Sequence, residues 1–144
     1  YHYGAINHSE LKNMLKKSIV IMSISGIIMT LLAQALALPL AKVFVGYDEG
    51  LLDMTVHAFR VFSFSFILAG INIFASSFFT ALNNGAVSAA ISFLRTLIFQ
   101  STAVIVLPMI WELDGIWLSI TVAEVFALII SVTFLAAKRK KYNY

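Results

Sequence analysis

The sequence predicts an all-α integral membrane protein of four antiparallel transmembrane helices, and three observations carry that prediction. Hydrophobic residues make up 60% of the chain and charged residues 12%, with a mean hydropathy of +0.92, far from the balance of a soluble domain. The apolar residues gather into four runs, 18–40, 61–82, 86–110 and 115–137, each close to the roughly 20 residues that cross a bilayer core of about 30 Å. These runs are long and evenly apolar, whereas strands of a transmembrane barrel alternate in polarity over about 10 residues.

Each element follows from local chemistry. Residues 1–17, "YHYGAINHSELKNMLKKS" with Ser18, form a polar lead-in that fits an interfacial helix and not a signal peptide, because Glu10 sits among Leu11, Leu15 and the lysines. The first span, 18–40, carries Ser23, Gly26, Thr30, Ala33 and Ala37, small residues that let helix backbones approach closely. Gly46 to Gly50 breaks it, and Asp48 is placed to cap a helix that starts outside the membrane and runs inward. Asn83, Asn84 and Gly85 supply the turn into the third span. Pro39 and Pro108 each stand near the outer end of an outward-running span, where a lost backbone donor is tolerated. Short connections make sequential helices neighbours, and no low-complexity linker interrupts them, so residues 1–144 read as one transmembrane domain ending in a basic cytoplasmic tail, 138–144.

Charge gives the orientation. Lys12, Lys16 and Lys17 precede the first span and Lys138 to Lys141 follow the fourth, while Asp48, Glu49, Asp53, Glu112 and Asp114 fall at the other ends. The positive-inside rule then makes both termini cytoplasmic. The pI near 9.3 reports this orientation and attraction to anionic lipid heads; a nucleic-acid partner is not expected from short juxtamembrane runs. Trp111 and Trp117 mark the outer interface. The Phe-rich second span reads as lipid-facing or packing surface.

Polar residues within the spans recur at helical spacing. Ser65, Asn72, Ser76 and Thr80 make one stripe, Ser92, Thr96 and Gln100 a second, and Thr121, Glu124 and Ser131 a third. Hydroxyls of this kind serve first as interhelical hydrogen bonds. Asn72 and Gln100 ask for more partners than packed hydrocarbon supplies. Glu124 is the acid buried deepest in an apolar run, and such a group points either to function, by drawing a cationic substrate or carrying a proton, or to a hydrogen bond to a neighbouring helix. Arg95 stands about 10 Å inside the third span and is expected to snorkel back to the interface. Glu124 stands about 21 Å above Lys138, so rise per residue leaves an axial gap near 10 Å and predicts that the two do not pair. The substrate- or ion-binding candidates are therefore Glu124, Asn72, Gln100, Arg95, Ser76 and Thr121. The chain has no cysteine, and His2, His8 and His57 are too scattered to suggest a metal site. No phosphate loop or nucleophile constellation argues for an enzyme or for an organic cofactor.

Several stretches resemble one family. "YHYGAINHSELKNMLKKS" is similar to the cytoplasmic segment between the second and third helices of a repeat in the multidrug and toxic compound extrusion (MATE) transporters. "GINIFASSFFTALNNGAVSAAISFLR" resembles the next inward helix, its turn and the helix after it, and "LDGIWLSITVAE" resembles the start of the last helix. The resemblance runs over essentially the whole chain in order and spacing. It implies the last four helices of a twelve-helix, two-lobe transporter, within its C-terminal lobe, and this expectation would account for the missing initiating Met. It also implies export of bulky, often cationic amphiphiles across the cell membrane in exchange for H+ or Na+, with membrane lipids and the N-terminal helices of the same transporter as partners. The second span lacks the acid that some sodium-coupled members carry there, which leaves the coupling ion open. A lipid-linked oligosaccharide flippase of the same superfamily would show more basic residues in its cavity than Arg95. A self-standing four-helix membrane protein would need its own start codon just before Tyr1.

Overall fold

The computed structural model describes residues 1–144 and contains only helices, four of them long and apolar enough to cross a membrane. Helix α1 is His8–Val45. Asn7 caps it, accepting from the Glu10 amide at 3.2 Å and from the Ser9 hydroxyl at 3.0 Å, so the polar lead-in and the first span are one continuous rod. It passes through Pro39 and stops at Gly46, whose amide bonds Lys42 O at 3.1 Å.

Asp48 caps the next helix as expected, accepting from the Leu51 amide at 2.9 Å. The second span is jointed: α2, Glu49–Ser63, and α3, Ser65–Ala81, meet at Phe64. A break inside a span frees backbone carbonyls that lipid cannot satisfy. Here α1 satisfies them. Gln34 Nε2 donates to Arg60 O at 2.9 Å and to Ser63 Oγ at 2.8 Å, and Thr30 Oγ1 lies 3.1 Å from Ser63 O. Close approach makes this possible, since a Cβ on Gly26 would come within 2.7 Å of Phe66 O.

Asn83, with φ 56, and Asn84, which accepts from the Val87 amide at 3.3 Å, form the return turn. The third span then runs as α4, Gly85–Phe93, a π-helical segment, Leu94–Gln100, and α5, Ser101–Val106. Helix α6, Pro108–Tyr142, is broken at Trp111 (φ −122, ψ 18) and Glu112 (φ 49, ψ −125), which is where the chain turns back into the fourth span. Gly115 is required there, because any Cβ would overlap the Leu107 carbonyl and the Pro108 nitrogen.

Helix α1 packs on α2 and α3, α3 also on α4 and α6, and α6 on the π segment and α5. Only 24 of 144 residues are buried, so most of the apolar surface is left to face hydrocarbon or further helices. The main core lies at the end carrying both termini, where Leu11, Phe78, Phe79, Leu82, Val87, Ile91, Tyr142 and Tyr144 cluster. Phe78 and Phe79 are thus packing residues, whereas Phe64 is 51% exposed. The basic tail is not a loose extension: α6 continues to Tyr142, and Asn143 (φ 54) folds Tyr144 back so that its hydroxyl donates to Leu135 O at 2.8 Å. Burial, with Tyr142 beside it, pushes the Tyr144 phenol up to about 12. Asn84 Nδ2 donates to Tyr142 OH at 2.8 Å and ties the return turn to the end of α6.

Candidate functional site

Glu124 sits on the face of α6 that meets α3 and the π segment, and it is 5% exposed. Its Oε1 accepts from Arg95 Nε at 2.8 Å, with Arg95 Nη2 also at 2.8 Å. Its Oε2 accepts from Asn72 Nδ2 at 2.7 Å, and the same amide donates to Glu124 O at 3.0 Å. Three spans therefore converge on one carboxylate.

The expectation that Arg95 and Glu124 stay apart is wrong, and so is the snorkelling of Arg95. Rise counted separately from two helix ends assumes parallel axes, yet packed helices cross at about 20° or 50°. Arg95 also lies in the π-helical segment, whose wider turn re-aims its side chain toward α6. The physical pressure is plain: a carboxylate this buried needs a counter-charge, and an interior guanidinium needs an acceptor.

Of the other predicted residues, Asn72 is fully buried and joins the network, but its Oδ1 has no partner. Thr121 lies one turn before Glu124, and its buried Oγ1 is likewise unpartnered, as is the buried Oγ of Ser131 two turns after Glu124 on the same face. Ser76 goes elsewhere. Its hydroxyl meets Ser88 Oγ at 2.9 Å and Ser92 Oγ at 2.8 Å, and Thr80 Oγ1 lies 2.7 Å from Ser88 Oγ. That hydroxyl ladder holds α3 against α4. Gln100 lies half-buried in the π segment and takes no part in the carboxylate network.

Two groupings were not visible in the sequence reading. One is Gln34 with Thr30 at the Phe64 joint; a primary amide inside the run 18–40 was its signal. The other is His57 Nε2 with Asp114 Oδ1 at 2.8 Å, beneath Trp117 at 5.5 Å ring to ring, near the opposite end of the bundle. Both partners are 55% exposed, so this bridge contributes little stability.

Chemically, the network neutralises its own charge. Both Glu124 oxygens are occupied, and a competing cation would have to displace Arg95. The vacant acceptor Asn72 Oδ1 and the unpartnered hydroxyl of Thr121 offer polar contacts beside the carboxylate.

Residues 1–105 of this chain match the model of the MatE family. The match includes Asn72 and Arg95 and stops before Glu124. Comparison with curated proteins returned no match, and comparison with solved structures returned none.

Proposed function

Since this chain belongs to the MatE family of membrane transporters, we propose that it forms the last four helices of a secondary active multidrug antiporter. In this reading the transporter sits in the cell membrane with both termini cytoplasmic and exports bulky, often cationic compounds in exchange for H+ or Na+. The observation that carries the reading is the family match over the first three spans, residues 1–105. Members of this family are transporters rather than enzymes.

The geometry favours one role for Glu124 over the others open to it. A bare acid would draw a cationic substrate directly, but Arg95 already holds Oε1 and Asn72 holds Oε2. A paired acid instead acts as a joint between three spans that opens when a proton takes the place of Arg95. The same pairing disfavours the flippase alternative, because the one cation inside the bundle is neutralised and presents no free positive charge to a lipid diphosphate.

The test uses the full-length transporter in cells stripped of their own pumps. Expression should raise tolerance to ethidium-like cations, and Glu124→Gln at equal membrane abundance should lower that tolerance and alter its pH dependence. Absence of any protection by the unaltered protein contradicts the efflux reading. Unchanged protection and unchanged pH dependence in Glu124→Gln would leave the network as structural cement only.

A further inference from the structure

A groove of about 450 Å³ separates α1 from α6 at the end of the bundle that carries both termini. Its floor is apolar, built from Leu15 and Ile19 of α1 and Leu135 of α6, and its rim carries Lys12, Lys16 and Arg139. None of these three cations lies within salt-bridge distance of an Asp or Glu carboxylate. Arg139 lines the groove and donates through Nε to Tyr144 O at 3.2 Å, with no side-chain hydrogen bond to its terminal nitrogens. Along both helices at this end Lys17, Lys138, Lys140 and Lys141 add positive charge, and Glu10 is the one acid.

We infer that this groove binds one anionic phospholipid, with the phosphate between Lys12, Lys16 and Arg139 and an acyl chain along the Leu15–Ile19–Leu135 floor. The occupant follows from the lining. Free phosphate would gain nothing from the apolar floor, a zwitterionic lipid would gain less from three unpaired cations, and a soluble anion would not reach a floor at membrane depth. Positive groups near the membrane surface attract anionic lipid, and basic clefts between spans hold such headgroups. The two helices do not touch along the groove as α1 touches α3, so an acyl chain can fill the gap and brace α1 against α6. This inference needs only membrane insertion and stands whether or not the transporter exports drugs.

The experiment is native mass spectrometry of the purified full-length transporter titrated with phosphatidylglycerol, phosphatidylcholine or inorganic phosphate. Retention of phosphatidylglycerol over phosphatidylcholine is expected, with little competition from phosphate. Replacing Lys12, Lys16 and Arg139 together by Ala should weaken it about a hundredfold, or about fivefold for each cation. Ala136→Trp, at an exposed position on the same lining, fills the groove while keeping every charge, and it should displace the lipid too. Equal retention of both lipids, full competition by phosphate, or retention unaffected by both the charge-free and the groove-filled variants would overturn the inference.

Discussion

Removing Arg95 should cost far more than removing the whole Arg95–Glu124 pair. In Arg95→Met a carboxylate that is 6% exposed at its side chain keeps only the Asn72 amide. Stripping one partner from a buried pair typically costs about 3–5 kcal/mol, and the depth of Glu124 places this variant near about 3–4 kcal/mol. The converse variant, Glu124→Leu, leaves an arginine that is 25% exposed and whose flexible stem can turn toward water, so about 1–2 kcal/mol is expected. Arg95→Met with Glu124→Leu removes both charges and replaces them with apolar bulk, which is often neutral, so the double variant should lie within about 1 kcal/mol of the native chain. The coupling is then about 5 kcal/mol, measurable as a double-mutant cycle from SDS-induced unfolding of the full-length protein in mixed micelles. Strictly additive singles, with coupling below about 0.5 kcal/mol, would refute the claim that these side chains neutralise each other.

Two further outcomes are expected. Gly26→Val must push Phe66 O and Ile67 away from α1, since its Cβ would lie 2.7 Å and 3.0 Å from them; about 1–3 kcal/mol of destabilisation should follow in the same unfolding assay. Gly85→Ala meets nothing within 4 Å and should stay within about 0.5 kcal/mol, so equal effects would argue against a tight α1–α3 contact. Cysteines placed at the exposed positions Ser9 and Asn143 should resist a membrane-impermeant thiol reagent in intact cells and react once the membrane is opened, and labelling of either from outside would reverse the assigned orientation.

What the sequence discloses here depends on the range of the interaction. The spans, the Asp48 cap and the Asn83–Asn84 turn rest on residues within a few positions of one another, and hydropathy or cap chemistry exposes them directly. The face of Glu124 was legible as well, because Thr121 and Ser131 share it by helical period. Its partner was not. Pairing Arg95 with Glu124 depends on crossing geometry and on a π turn, and neither leaves a mark in a count of rises. The joint at Phe64 was hidden for a related reason: nothing in "RVFSFSF" breaks a helix, and the clue lay across the bundle in Gln34, which supplies the donor that makes the break tolerable. The folding back of Tyr144 was equally invisible, since the run of lysines before it reads as a solvated tail.

Gradient-driven efflux, proposed for the transporter to which this chain belongs, is measured in proteoliposomes holding the full-length protein. A fluorescent organic cation and an imposed H+ or Na+ gradient are the only additions required. Uptake of the cation should need one of the two gradients and collapse when an ionophore dissipates it. Cation movement indifferent to both gradients, or none alongside translocation of a lipid-linked oligosaccharide, would contradict the proposal.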